Sequence, residues 1–246
     1  MSTNPLAQFV IKPIVSLEIG GIDVSFTQSA LFMLVGVVLT TLLMTLSMRS
    51  KSVVPNRWQN VSEMFYEFVA GMVHENLGKE SRKYFPFVFS VFMIVLMGNL
   101  LGMIPYSFTY TSHIVVTGAL ALAVFFLATL VGIARHGLHF FSLFVPKGLP
   151  IALLPLIVVI EVISYLSRPI SLSVRLFANM VAGHTMLKVF AGFSVTLAAT
   201  AFAALGAVPM LINVALIGLE LMIAFIQAYV FAILTCIYLK DAIELH

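Results

Sequence analysis

The sequence predicts an all-α polytopic membrane protein of about five to six helices, including one amphipathic interfacial helix and two long tilted C-terminal helices. Hydrophobic residues make up 61% of the 246 positions and charged residues only 9%, whereas soluble domains carry about 25% charged residues. Apolar runs long enough to cross a bilayer recur along the chain. Since too little polar sequence remains for a second domain, we expect residues 1–246 to form a single membrane domain.

The first predicted span covers residues 24–48, which contain no charged side chain, and follows an N-terminal segment over residues 1–23. Residues 49–83 differ, because they are rich in basic side chains and their apolar positions recur at helical spacing. These apolar positions are Val61, Phe65, Phe68, Met72 and Val73. The pattern predicts an amphipathic helix at the membrane interface. A solvated helix packed on another subunit fits equally well, so both interpretations stay open.

A helical hairpin is predicted over residues 84–134, which carry no formal charge and are long enough for two spans. Gly98, Gly102 and Pro105 supply the predicted break between the two helices. Residues 106–112 then form a short uncharged turn.

Basic residues predict the orientation of these helices. One side of the membrane collects Arg49, Lys51, Arg57, Lys79, Arg82, Lys83, Arg135 and Lys147, whereas the turn at residues 106–112 contains no base. The positive-inside rule therefore places the N-terminus outside and the basic segment inside.

The C-terminal part of the chain is apolar but contains scattered ionisable side chains. These are Glu161, Arg168, Arg175, His184, Lys188 and Glu220. We expect two long tilted helices over residues 147–192 and 194–243, because helices of about 45 residues far exceed a hydrocarbon core of about 30 Å. Extra short spans are the alternative.

Helical phase separates the ionisable residues of the first long helix into two faces. Glu161, Arg168 and Arg175 lie seven residues apart, so they drift by only about 20° per step and share a face. Asn179 joins that stripe. His184 follows Arg175 by nine residues, a rotation of about 180°, and points the other way. A charge at bilayer depth costs about 2.5–3.5 kcal/mol, so these side chains must face protein or water.

The last helix carries Glu220 and Gln227 seven residues apart on one face. Taken alone, His184 or Gln227 is most simply a satisfied core residue. An acid and a base in adjacent apolar helices instead favour ion transport. Arg168 and Lys188 have a second interpretation, since long basic side chains near a helix end reach the membrane interface.

The composition also excludes several classes of protein. The single cysteine, Cys236, permits no internal disulfide and no metal cluster, and we expect neither a metal nor a cofactor. The net charge of +3 gives no indication of nucleic-acid binding. A Gly-rich phosphate loop ending in Lys-Ser or Lys-Thr is not found in the sequence, so we expect no nucleotide-binding site of that type. A secondary transporter is disfavoured because the two halves show no repeat, and a non-transporting assembly subunit remains a rival.

Three motifs resemble one known family, subunit a of the rotary ATP synthases. They are SLSVRLFANMVAGH at residues 171–184, the stretch from Leu219 to Leu239, and GNLLGMIP at residues 98–105. The resemblance runs in order from the first span to the C-terminus.

The resemblance implies the stator half of a proton turbine, with two tilted helices beside a ring of c subunits and two offset aqueous half-channels. It implies an essential arginine at Arg175, and further proton-translocation residues at Asn179, His184, Glu220, Gln227, Glu161 and Ser171. The implied partners are the c-ring, a peripheral stalk (subunit b), other membrane subunits and lipid. The chain is expected to be non-catalytic and to bind no nucleotide.

The implied location is an energy-coupling membrane, either the bacterial inner membrane or the mitochondrial inner membrane. The choice between H⁺ and Na⁺ and the number of ring subunits depend on the ring, so this sequence leaves both open.

Overall fold

Six α-helices account for most of the residues that the structure describes. The computed structural model describes residues 8–16, 18–19, 22–23, 25–49, 55–104, 107–145, 153–199 and 203–244. The helices are α1 (Gln28–Ser47), α2 (Arg57–Leu77), α3 (Ser81–Gly102), α4 (Ile114–His136), α5 (Leu154–Ala198) and α6 (Ala207–Ile243). Within these described ranges, five helical stretches, one of which joins α2 to α3, are long and apolar enough to cross a membrane. The all-α prediction is confirmed.

Four very short strands precede α1 and were not predicted. Strand β1 (Pro13–Val15) pairs antiparallel with β4 (Phe26–Thr27), and β2 (Glu18–Ile19) pairs with β3 (Ile22–Asp23). Strands of two or three residues are too short to show the alternation by which a sequence indicates a strand.

The chain forms two compact units. The first comprises residues 1–46, 93–113 and 176–228, and the second comprises residues 47–92, 114–175 and 229–246. Buried side chains in the first unit include Met93, Val95, Leu96, Leu176, Met180, Ala224 and Ala228. Those in the second include Val69, Val73, Val88, Phe92, Leu172, Phe231 and Leu239.

The basic segment forms α2 and the start of α3. Asn56 caps α2, since its side-chain oxygen accepts a hydrogen bond from the Arg57 N–H at 2.8 Å. Val69, Met72 and Val73 are buried on one face, whereas Trp58 is 65% exposed. Of the predicted apolar positions, Phe68 is exposed, because the buried stripe is rotated toward Ser62 and Val69. Lys51 lies outside the described residues.

Gly98 and Gly102, two of the residues predicted to break the hairpin, make room for a folded-back loop. Helix α3 continues through Gly98 and ends at Gly102. A Cβ at Gly98 would come within 2.5 Å of the Tyr110 ring, and one at Gly102 would overlap Thr109. Phe108, Thr109 and Tyr110 are therefore buried rather than exposed on a turn. Pro105 and Tyr106 lie outside the described residues.

Helix α5 is longer at its C-terminal end than the predicted boundary at 192–194. It spans 45 residues and ends at Ala198. Gly192 does not interrupt it, and the Thr196 hydroxyl donates a hydrogen bond to the Gly192 carbonyl at 2.9 Å. A helix of this length extends about 68 Å, well beyond the thickness of a hydrocarbon core of about 30 Å. The predicted start at Lys147 and the following residues to 152 lie outside the described residues.

Candidate ion-conducting site

The first unit brings α5 and α6 together as antiparallel neighbours. Asn179 contacts Gln227, His184 contacts Glu220, and Ser194 contacts Gly206, so positions later in α5 meet positions earlier in α6. Four of the predicted residues therefore form two polar pairs on facing helix surfaces. Apolar side chains in the same stretches of α5 and α6, such as Met180 and Ala224, are buried.

The acid–base pair is formed by His184 and Glu220. Nδ1 of His184 lies 3.3 Å from Oε1 of Glu220, and their side chains are 10% and 3% exposed. Gly183 lies against the carboxylate, since a Cβ at that position would come within 2.7 Å of Glu220 Oε1. Neither Glu220 oxygen makes a hydrogen bond to the described residues. A carboxyl group this enclosed is expensive to ionise unless a cation or water lies beside it.

The second ring nitrogen of His184 contacts the loop between α3 and α4. Oγ1 of Thr109 lies 2.9 Å from Nε2, and the Phe9 ring lies 6.5 Å from the imidazole centroid. A hydroxyl that donates to Nε2 would place the imidazole proton on Nδ1, toward Glu220. The folded-back loop thus orients the histidine toward the acid.

The same loop carries a second histidine. His113 stacks on Phe108 with ring centroids 5.0 Å apart. Burial lowers the pKa of His113 below the usual value for histidine, so its neutral form is favoured.

A second polar pair joins Asn179 to Gln227. The Asn179 amide donates to Oε1 of Gln227 at 2.9 Å. Nearby on α3, the Asn99 amide donates to the Ala224 carbonyl at 3.2 Å. Gln227 Nε2 and Asn99 Oδ1 are buried and make no hydrogen bond to the described residues. Buried polar groups of this kind usually bind ordered water.

A pocket of about 140 Å³ opens beside these pairs. Its lining includes Asn179, Gly183 and Glu220 together with the apolar side chains of Ala182, Met186, Leu216, Leu219 and Ile223. The pocket is large enough for several water molecules. A hydrated carboxyl group next to an imidazole can accept and release a proton.

The second unit contains the remaining predicted residues, and it does not bring them together. Arg175 is exposed on α5 and makes no hydrogen bond or ion pair with the described residues. Ser171 is exposed, and Glu161 is partly buried; for both, the structure gives no contact. A guanidinium stays charged and requires hydrogen-bonding or ionic partners. The described residues supply no such partner for the guanidinium of Arg175.

Arg168 is held by an ion pair. Its Nη1 lies 2.8 Å from Oδ2 of Asp241, and its guanidinium carbon lies 5.3 Å and 5.2 Å from the ring centroids of Tyr165 and Tyr238. The ion pair gives Arg168 a partner within the protein, and its location at the membrane interface stays a prediction. Lys188 is exposed. In the described residues no group of three or more acidic, histidine or cysteine side chains is arranged to hold a metal ion.

Comparison with known proteins decides the family. The sequence model of the family described as ATP synthase A chain matches residues 30–240. The chain belongs to this family. Full-length relatives named ATP synthase subunit a agree: the protein of Chelativorans sp. is 58% identical over 246 residues, and that of Paramagnetospirillum magneticum is 55% identical over 246 residues, each alignment covering 99% of both chains. The Rhodospirillum rubrum protein is 52% identical over 243 residues, again with 99% of both chains covered.

With its apolar helices, this ATP synthase A chain family member is a multi-pass membrane protein.

Sequence reasoning found the four residues of the two polar pairs in the first unit, but it missed Asn99, Thr109 and Asp241 as contacting residues. Asn99 lies inside the motif GNLLGMIP at residues 98–105, and Asp241 lies one turn beyond Tyr238 near the end of α6. Nothing in the sequence indicated Thr109, since its contact depends on how the loop folds back.

Proposed function

We propose that this chain conducts protons through the membrane sector of a rotary ATP synthase. It forms two offset half-channels against the c-ring, and Arg175 blocks a direct leak between them and drives deprotonation of the ring carboxylate. Its family membership supports the general role. The proposed role of Arg175 between the half-channels rests on one observation. Arg175 is exposed on an apolar helix and has no acidic partner among the described residues.

The chemistry follows from the cost of burying charge. A ring carboxylate must be neutral to face lipid, and a fixed positive charge beside it favours ionisation. The proton then leaves through one half-channel, and a proton from the other half-channel neutralises the carboxylate after rotation. Arginine suits this role because its guanidinium keeps its proton at any physiological pH. The membrane potential contributes about 2.3 kcal/mol per charge per 100 mV.

His184 and Glu220 act as the proton relay of the outer half-channel, with Asn179 and Gln227 lining the same path. Their mutual contacts and the adjacent pocket support this assignment. Glu161 and Ser171 are assigned to the inner half-channel on the resemblance alone, since the structure gives them no contact. The partners are the c-ring, the peripheral stalk (subunit b) and neighbouring membrane subunits.

The chain is a non-catalytic subunit of an energy-coupling membrane, and it binds no nucleotide itself. The bacterial sources of its relatives favour the bacterial inner membrane. The ion-binding site of the ring determines whether H⁺ or Na⁺ is carried.

Replacement of the exposed guanidinium tests the proposal. In Arg175→Ala, proton-driven ATP synthesis should fall below detection while the complex still assembles, and Arg175→Lys should be nearly as inactive because an ammonium can lose its proton. Synthesis is measured in energised membrane vesicles and divided by the amount of assembled complex. Lys240→Ala removes another exposed cation, on α6, and serves as the control. Wild-type synthesis in Arg175→Ala would refute the proposal.

A further inference from the structure

Three side chains in the second unit surround the guanidinium of Arg168. We call these four residues the arginine clamp: Tyr165 and Arg168 on α5, and Tyr238 and Asp241 on α6. The guanidinium of Arg168 lies between the two tyrosine rings, 5.3 Å from one centroid and 5.2 Å from the other. Its Nη1 donates to Oδ2 of Asp241 at 2.8 Å. The ion pair is about three-quarters buried, with side chains 26% and 28% exposed. Arginine suits such a site because its planar group stacks and hydrogen-bonds together.

The arginine clamp packs against helix α4 through Tyr165. The Tyr165 hydroxyl lies 2.7 Å from Thr129 Oγ1, and its ring packs against Phe125 at 5.0 Å and against Phe144 at 5.4 Å. The buried ring of Phe140 fills the space beside Gly132. It lines a small cavity together with the clamp residues Tyr165, Arg168, Tyr238 and Asp241.

Two turns further along α5, a second contact joins the same two helices. Ser173 Oγ lies 3.2 Å from Thr117 Oγ1. The α5 segment from Tyr165 to Ser173 is thus attached at both ends to α4 and in the middle to α6. Such attachments at both ends fix its rotation about the helix axis.

Arg175 follows this segment directly. It lies seven residues after Arg168, so the two arginines share a face of α5. Asp241 is therefore placed where it pairs with Arg168 and compensates one of two cations on a single helix face. Arg175 remains the uncompensated cation of that face.

We propose that Arg168 and Asp241 are positioning residues for proton translocation, which hold α5 in the rotation that exposes Arg175 and cancel each other's charge beside it. The proposal rests on the proposed function of Arg175. Removal of either partner leaves an uncompensated charge close to Arg175. A freed Arg168 would compete with Arg175 for the ring carboxylate, and a freed Asp241 would draw Arg175 away from it.

A double-mutant cycle tests this charge compensation. Asp241→Asn and Arg168→Gln should each reduce proton-driven ATP synthesis several-fold, measured in energised vesicles and divided by the amount of assembled complex. The variant with both changes should recover at least half of the activity lost in the worse single variant. Arg168→Lys preserves the charge and should retain more synthesis than Arg168→Gln.

Each alternative role predicts another pattern. If the clamp were mere packing, the double variant would be as impaired as the single variants or worse. If Asp241 itself carried protons, the double variant would match Asp241→Asn, and passive proton conduction through complexes lacking the catalytic head would fall equally in both. Either pattern overturns the proposal. So does a double variant that fails to assemble, whereas assembly recovered only in the double variant supports it.

Parallel measurement of Arg175→Ala separates the two proposals. If Arg175→Ala is inactive but the cycle shows no recovery, only the clamp is rejected. If Arg175→Ala synthesises ATP normally, the proposed function itself fails.

Discussion

Two acid–base pairs join α5 to α6, and they are built differently. In His184–Glu220 the two atoms lie 3.3 Å apart and the side chains are 10% and 3% exposed. In Arg168–Asp241 the distance is 2.8 Å and the side chains are 26% and 28% exposed. The more buried pair has the looser contact, and its carboxylate lacks hydrogen bonds from the described residues.

The difference follows from the chemistry of the bases. Imidazole gains and loses a proton near neutral pH, so a histidine–carboxyl pair can exist in several protonation states. A guanidinium keeps its charge, and with a carboxylate and two flanking rings it forms a contact that stays the same. The first pair is suited to passing protons and the second to holding helices in place.

Among the substitutions that distinguish the two pairs, the largest expected effect comes from neutralising the buried acid. Glu220→Gln and His184→Ala should each lower proton-driven ATP synthesis by at least about tenfold, because a positioned acid or base commonly accelerates proton transfer by about 10²–10⁴-fold. Passive proton conduction through complexes lacking the catalytic head should fall in parallel. Wild-type rates of synthesis in both variants would refute the relay and remove the contrast with the arginine clamp.

A smaller effect is expected when a methyl group at position 183 crowds the carboxyl group of Glu220. In Gly183→Ala the new methyl group would come within 2.7 Å of Glu220 Oε1, so either the carboxyl group or α6 must shift. Overpacking of this kind commonly costs about 1–3 kcal/mol, and we expect synthesis to fall about threefold to tenfold. Gly192→Ala is the matched control, since a Cβ there meets nothing within 4 Å. Equal rates in the two variants would show that the position of Glu220 is unimportant.

The loop contact to the imidazole should have a moderate effect. Thr109→Val keeps the shape of the side chain but removes the hydroxyl 2.9 Å from His184 Nε2. A hydrogen bond of this kind contributes about 1 kcal/mol, so ATP synthesis should fall about twofold to fivefold. Thr196→Val, which removes a hydroxyl bonded to its own helix, provides the comparison. If both valine variants behave alike, the loop does not orient His184.

The smallest effect is expected behind the arginine clamp. Thr129→Val removes the hydroxyl that lies 2.7 Å from Tyr165 but leaves the tyrosine ring against Arg168. The expected loss is about 1 kcal/mol of stability, seen as a lower thermal midpoint of the purified complex, with synthesis reduced less than about twofold. Thr41→Val on the exposed side of α1 controls for loss of a helix-bonded hydroxyl. A tenfold loss of synthesis in Thr129→Val would mean that the clamp participates in proton transfer.

The sequence alone was sufficient to predict the helices and the four residues that pair across α5 and α6. Long apolar runs require helices in a bilayer, and helical phase showed that His184 and Arg175 differ in direction. In the structure His184 is buried and Arg175 is exposed. Gly98 was assigned to the break between the helices, but α3 continues through it and ends at Gly102. A glycine that makes room for a side chain looks the same in sequence as one that ends a helix.

Only the tertiary structure showed that Thr109 contacts His184 and that Asp241 pairs with Arg168. Periodicity along one helix determines which of its residues share a face, because the 3.6-residue repeat is a property of the backbone. Which side chain on another segment meets that face depends on how the loop folds and how each helix is rotated. Those choices follow from close packing among many residues distant in sequence, so no local pattern contains them.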